Sequence, residues 1–546
     1  MSPLESHAYI DISNNTLTNT GNLGIYLGKF NNDDSYDYIN INNNVIHGFT
    51  NGVLVVRSTD SAQVSVSFNE FYGKPSSYFI KLDNTSASNP RAVKAMENLF
   101  YDINGNELNS YSFVGDIDST TLFYITHTGN GTIKIGDTYN LSTILQSNIS
   151  WTSDAPLVAS VSNGIVTANG SGNAIITATT PSGATATIGL TVYNPNGVSD
   201  LVKLLIENNN GTIWNEDITY IGYEGNKVNN VNGSANNYYP GSIPNITEKT
   251  LSSSAKNYSG VSITSLTYIT IHDTGSSTGS ALANANWCIN ANNTSSSWHY
   301  TIGNDGIYHQ IPDNVVAWHA GDGRTTSTLQ NTGIAVTRSL RYRPTITMGN
   351  DGYFYLDGVK TNVKYPQGAT PETGMNKLGI GVVVKNGYYY IPTTRVTSGY
   401  GKVVAINGGN MQSIGIETCV NNGSDVYLTW QYTAKLVARL LVNNDLGPDR
   451  VMFHNNFSNK ECPNTMINAN KVETFLDMCY VEYMVKKYYS DYDITFTSLN
   501  PTYLDNTGRV VSNPNIPTSV GYTVTIKQNG NTIDAITLYS TVSPIE

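Results

Sequence analysis

The stretch VMFHNNFSNKECP, Val451–Pro463, holds two residues that can do chemistry together. They are His454 and Cys462, eight positions apart. An imidazole and a thiolate are both good zinc ligands. Lys460 stands two residues before the cysteine. Catalytic zinc commonly takes three protein ligands and keeps a fourth position for water. A third donor stands upstream: His272 closes the apolar run TYITIHDTG, which reads as a buried strand leading into a turn. Two histidines and one cysteine around an open position form an arrangement for hydrolysis.

Four motifs then fall into a known order: His272 in ITIHDTG, SWHYTIGNDG with WHAGDG, SIGIETC, and HNNFSNKECP. This order resembles the zinc-dependent N-acetylmuramoyl-L-alanine amidases, the amidase and peptidoglycan-recognition fold of phage endolysins and bacterial autolysins. The resemblance spans about Leu251–Tyr489. It implies Zn2+ held by His272, His454 and Cys462, and an amide substrate between N-acetylmuramic acid and L-alanine. It implies Glu417, at the end of the apolar SIGIETC strand, as general base. The alternative role for a carboxylate there is as a salt-bridge partner. It implies Lys460 beside the metal, stabilising the oxyanion; a solvated loop lysine is the plainer reading. Trp318 and His319 of AWHAG look like groove residues that meet sugar or stem peptide. Trp298 and His299 either line the same groove or pack structurally. His7, His47, His127 and His309 are read as structural.

The elements that must position these residues alternate between strand and helix. TYITIH is a strand, Ser280–Asn290 a helix, and WHYTIGNDGIYHQI a hairpin around Asn304-Asp305-Gly306. Tyr432, Leu436 and Leu440 share one face of a helix over Thr429–Asn444, which ends near Gly447-Pro448. Val472, Phe475, Leu476, Cys479 and Tyr483 line a second helix. This pattern suits a mixed sheet flanked by helices. In one respect the chain departs from the family. About 85 residues, Thr325–Met411, join the WHAG and IGIE motifs, where a short loop is usual. The insert carries β signals, YFYLDG and GIGVVVKNGYYYIP, the latter a hairpin at Asn386-Gly387. Structured insertions beside an active site are often lids or binding walls.

Upstream, residues 1 to about 110 carry a repeat. Asn15, Asn44, Asn69 and Asn98 each open an Asn–x–apolar triplet, at spacings of 29, 25 and 29. The strands YIDIS, YININ and VSVSF precede the first three, and GIYL, GVLVV and YFIKL follow them. A period of this size reads as a right-handed parallel β-helix with asparagines laddering at the bends, similar to those of phage tail spikes. An ordinary β-sandwich is the alternative. From about Leu122 to Tyr193, short strands with turn signals read as a β-sandwich. Trp151-Thr152-Ser153-Asp154, Val158–Val161 and Asn163-Gly164 resemble the group 2 bacterial immunoglobulin-like domain, a spacer or adhesive module. Residues 194–250 read as linker and amidase leader. The tail has strand-like runs YDITFTSL, VGYTVTIK and IDAITLYS.

The fold class expected is therefore multidomain. A parallel β-helix end spans 1–115, an Ig-like β-sandwich 120–194, an α/β mixed-sheet amidase domain 195–490 with the insert at about 325–411, and a small C-terminal β-domain 491–546. At 546 residues several cores are the natural expectation. Charged residues make up only 13%, about half the usual share. The net charge of −11 argues against nucleic acid as partner. A Gram-positive wall is anionic too, so attraction to it must come from shape and hydrogen bonding. Of four cysteines one is assigned to metal; the others do not require a disulfide. No apolar run reaches the ~18–20 residues of a membrane span. The first residues lack the features of a signal peptide. We therefore expect either a protein released by lysis, as virion proteins are, or a fragment of a longer chain. The expected setting is a virion tail or appendage acting on the extracellular wall. Expected partners are peptidoglycan of a Gram-positive host, other virion proteins, and two further copies in a homotrimer through the β-helix. A bacterial surface autolysin of the same chemistry, or a non-catalytic peptidoglycan binder, are the rivals.

Overall fold

The computed structural model describes residues 8–18, 21–27, 36–56, 63–73, 79–82, 93–96, 98–106, 108, 113–114, 117–118, 123–143, 149–180, 183–213, 215–220, 226–321, 329–336, 344, 346–365, 383–392, 409–457 and 462–544. It is a multi-sheet, mixed α/β protein in two compact units, Met1–Asn194 with Ile516–Ser519, and Pro195–Asn515 with Val520–Glu546.

In the first unit, strands Ala8–Ser13, Tyr36–Asn42, Gln63–Ser67, Val93–Met96 and Ile117–Asp118 form a wholly parallel sheet. A second parallel sheet centres on Val45–Val56, which pairs with Thr16–Leu17 and Glu70–Gly73 at its start and with Gly21–Leu27 and Ile80–Leu82 further on. The chain passes from the first sheet to the second at each repeated asparagine. Asn14, Asn43 and Phe68, just before three of them, take left-handed φ of 58°, 55° and 53°. Each asparagine side chain then bonds the next level. Asn15 N donates to Asn44 Oδ1, Asn44 N to Asn69 Oδ1 and Asn69 N to Asn98 Oδ1, all at 3.0 Å. The amides of Asn44, Asn69 and Asn98 donate to Ile12, Ile41 and Val66 carbonyls. The unequal spacings are thus absorbed away from the bend. Ile41, Ile46, Val66, Phe71, Ile80 and Phe100 fill the interior.

Asn69 is fully buried and accepts from both Asn44 N and Asn44 Nδ2. Asn69→Ala would strand buried donors, at roughly 1–3 kcal/mol. Hydrogen exchange over residues 36–73 is expected to show opening easier by about that amount, and the more exposed Asn15→Ala to show less. Equal, small changes in both would contradict the ladder's energetic role.

The rest of this unit is two four-stranded sheets. One runs Ile125–His127, Thr138–Thr143, Ile165–Ala168, Ala159–Ser162; the other Thr132–Lys134, Thr185–Tyr193, Gly172–Thr179, Ser150–Ser153. Leu141, Val166, Ile176, Ile188 and Leu190 form their common core. Asn163 and Gly164, at φ 48° and 77°, make the tight turn between Ala159–Ser162 and Ile165–Ala168.

The second unit is built on a six-stranded sheet. Its order is Ile246–Glu248, Gly306–His309, Tyr300–Gly303, Ser413–Thr418, Tyr268–Asp273, Val451–Phe453. Every pairing is parallel except the hairpin through Asn304-Asp305. Alternation decides which side chain faces where. Ile269, Ile271, Ile302, Ile414 and Ile416 point into the main core, against Trp430, Leu436 and Leu440 of helix Val426–Asn443 and Phe475, Leu476 and Cys479 of helix Val472–Tyr488. The first helix starts three residues before the expected Thr429, because Asp425 caps it by accepting from Leu428 N. Ser280 caps helix Ala281–Cys288 in the same way.

Residues 200–237 take a part that their composition did not suggest. Helix Asp200–Glu207 is followed by Thr212–Ile213, which adds a parallel strand to the C-terminal sheet Tyr492–Ser498, Thr518–Gln528, Asn531–Val542. Tyr522 Oη donates to Asn209, Ala235 N to Gly508 O, and Arg509 pairs with Asp425 at the cap of helix Val426–Asn443. The tail and the supposed linker therefore share one body with the mixed sheet.

The described parts of the insert form two three-stranded sheets, Leu329–Ala335 with Tyr388–Pro392 and Val383–Lys385, and Ile346–Met348 with Tyr353–Leu356 and Val359–Lys364. Phe354, Leu356, Val363, Tyr389 and Ile391 give the insert a core of its own. The expected hairpin turns at Asn386-Gly387.

Candidate metal centre

The sheet face opposite the main core carries the chemistry. Because Ile269 and Ile271 point to the helices, Thr270 and His272 point away. Because Ile414 and Ile416 do, Ser413, Gly415 and Glu417 share that other face. The parallel register sets His272 directly beside Glu417, and Val451–Phe453 beside Ile269–Ile271, so His454 follows at the same level as His272. Three strand ends thus converge at the carboxyl edge of the sheet, where open α/β sheets place their ligands.

The donor atoms of His272, His454 and Cys462 lie within 4.8 Å of one another. His272 Nδ1 is 3.8 Å from Cys462 Sγ, and the His272 and His454 rings are 4.6 Å apart at 64°. Tetrahedral zinc, bonded at about 2.0 Å to nitrogen and 2.3 Å to sulfur, holds its donors about 3.3–3.6 Å apart. Two imidazoles and a thiol at these separations fit such an ion after a small contraction. Among the described residues this is the one His, Cys, Asp or Glu group of three or more so disposed. His272 and Cys462 are 1% exposed, whereas His454 is half-buried, so of the three donors His454 is the one nearest solvent.

Backbone contacts hold each donor. Thr418 Oγ1 donates to His272 O at 2.7 Å. Asp273 Oδ2 accepts from Thr465 N at 2.8 Å, and Asn455 N donates to Cys462 O at 3.0 Å. These two bonds tie the Cys462 loop to the strand and to the turn carrying His454. Glu417 Oε1 lies 3.9 Å from His272 Nδ1, with its side chain 14% exposed. Lys460 lies outside the described residues.

The four groove candidates separate. His299 is fully buried; its Nε2 donates to Val315 O and its Nδ1 accepts from Gly415 N, both at 2.9 Å. Trp298 is 7% exposed and donates Nε1–H to Thr301 Oγ1 at 2.7 Å. The groove reading of these two gives way to core packing, since their polar atoms are spent inside the sheet layer. Trp318 is half-buried, its backbone N accepted by Ser297 Oγ. His319, likewise half-buried, brings its Nδ1 to 2.9 Å from His272 Nε2. Burial pushes the His299 imidazole down to about 4; burial, with His299 adding, pushes His319 down to about 3. Both are therefore neutral at pH 7.

Two positioning residues escaped the sequence reading. Asn410 Oδ1 accepts from His319 N and Ala320 N, at 2.8 and 2.6 Å. Gly415 leaves space for the His319 ring, which would lie 2.7–2.9 Å from any Cβ there. The glycine was in view within SIGIETC; Asn410 carries no local signal.

Residues 263–465 match the family model for N-acetylmuramoyl-L-alanine amidase. The matched segment contains all three donors, Glu417, the WHAG turn and the whole insert. Solved structures similar to the chain include the catalytic domain of XlyA (22% identity, 42% of this chain and 99% of that one, TM-score 0.26). A mutant endolysin from Bacillus subtilis is similar at 21% identity, over 43% of this chain and 99% of that one, TM-score 0.26. The Staphylococcus aureus hydrolase AmiA in complex with its ligand is similar at 12%, over 45% and 86%, TM-score 0.26. At such TM-scores these likenesses add nothing to the family match and the side-chain geometry. No curated protein matches the chain. Among the described residues, no helix is long and apolar enough to cross a membrane.

Proposed function

We propose that the chain is a zinc-dependent N-acetylmuramoyl-L-alanine amidase acting on Gram-positive peptidoglycan. The observation that carries this is the meeting of His272, His454 and Cys462 within 4.8 Å inside the amidase-matched segment. A bound zinc ion supplies Lewis acidity and lowers the pKa of a water to about 7. The chain's own residues do the rest. His272, His454 and Cys462 hold the ion. Glu417, beside His272, takes a proton from the attacking water and passes it to the departing amine. The amide C–N bond breaks, leaving a carboxylate on the lactyl group and a free amino group on L-alanine. Lys460, by family resemblance, stabilises the oxyanion. Trp318 remains the groove residue.

The stacked parallel coils and the asparagine ladder support a β-helix end at 1–115. The paired sheets support an Ig-like spacer at 120–194 ahead of the amidase domain, 195–490, and the C-terminal strands, 491–546. Such a mount suits a virion tail or appendage enzyme that opens the wall locally, assembled as a trimer with other virion proteins. Mass spectrometry of digested wall tests the chemistry. New L-alanine amino termini are expected; new sugar reducing ends without them would mean a glycosidase, and no product at all a binding module.

A further inference from the structure

The WHAG histidine was expected to face substrate, yet its ring nitrogen is turned toward a metal donor. His272 offers Nδ1 toward Cys462 at 3.8 Å and Glu417 at 3.9 Å, and Nε2 toward His319 Nδ1 at 2.9 Å. An imidazole that gives its Nδ1 lone pair to a metal carries its proton on Nε2. That N–H needs an acceptor, and His319 Nδ1 is the atom in place. The two rings meet edge to face, 5.1 Å apart at 79°.

His319 is itself over-determined. Its backbone N and that of Ala320 are both fixed by Asn410 Oδ1. Its ring lies on Gly415, where a Cβ would come within 2.7 Å. His299 stands behind it, 6.0 Å away, with both nitrogens committed to Gly415 and Val315. A ring merely filling space would not need its Nδ1 aimed at the far nitrogen of a donor histidine. The usual outer partner of a metal-bound histidine is a carboxylate, a carbonyl or water, and it fixes tautomer and ring orientation.

We infer that His319 is a positioning residue for the metal site: its Nδ1 accepts a hydrogen bond from His272 Nε2–H and so holds His272 in the tautomer that presents Nδ1 to zinc. The inference rests on the zinc reading above.

The test is Zn2+ affinity of the full chain by chelator competition. The wild type is measured first; failure to take up zinc at all would overturn the metal reading and this inference with it. Given binding by the wild type, His319→Ala is expected to weaken zinc about 10- to 100-fold. His319→Asn, whose Oδ1 can stand where Nδ1 stood, is expected to recover most of that loss. His319→Gln, which sets its acceptor further out, is expected to remain weak and replaces the alanine variant should that one not fold. Thermal unfolding of zinc-free protein checks that the variants are intact. Wild-type affinity in His319→Ala or His319→Gln, or an asparagine variant as weak as alanine, would overturn the role while leaving the amidase proposal standing.

Discussion

Wall-lytic activity is expected to fall on the order of 10³-fold or more in Cys462→Ser, and as far in chelator-treated wild type, with zinc restoring only the latter. Cys462 is 1% exposed and its Sγ sits 3.8 Å from His272 Nδ1, so no solvent group can take its place cheaply. Serine is nearly isosteric, and its loop is still held by Asn455 N and by Asp273 through Thr465 N. The fold should therefore survive, and the loss should trace to the donor set. Removing a thiolate from a His–His–Cys set takes away both a strong soft ligand and a negative charge that offsets the cation. The turbidity decay of purified walls measures the outcome. Undiminished lysis by the serine variant, or in excess chelator, would sink the zinc assignment and leave a different nucleophile to be found.

The second large effect separates proton transfer from metal binding. Glu417→Gln is expected to lower kcat about 10²- to 10⁴-fold while zinc affinity and KM change little. The reason is position. Glu417 is the in-register neighbour of His272, and its Oε1 lies 3.9 Å from His272 Nδ1. The side chain is 14% exposed, so a substrate and a water can reach it. Glutamine keeps the shape and the strand but cannot accept the proton. Single-turnover kinetics with a soluble muramoyl-peptide, alongside zinc content, checks the result. Loss of zinc in the glutamine variant would recast Glu417 as a ligand, and near-normal kcat would remove it from proton transfer.

Much of this site was legible in the linear chain because strands have a two-residue period. In ITIHDTG and SIGIETC the isoleucines alternate with His272 and Glu417, so burying the former commits the latter to the opposite face. One helix start was readable from Ser280, whose short polar side chain caps the first turn; the equivalent cap at Asp425 was passed over for a start at Thr429, because the apolar spacing is clearest only from there on. His299 and Trp298 were ambiguous for a physical reason. A motif rich in aromatic and imidazole rings suits a groove and a hydrogen-bonded core equally, until the partners Val315, Gly415 and Thr301 are known.

The chain by itself therefore determined the types of donor, the strands that carry His272 and Glu417 and the side those two face, and the asparagine repeat of the first unit. Those follow from local periodicity and residue chemistry, which act over a few positions. Tertiary structure alone decided that His319 turns to His272, that Asn410 clamps the WHAG turn, and that Thr212–Ile213 pairs with Thr541–Val542. Each of these joins residues 47, 91 and more than 300 positions apart. Such contacts are selected by the packing of whole sheets and helices, in which no short stretch of sequence carries the partner's address.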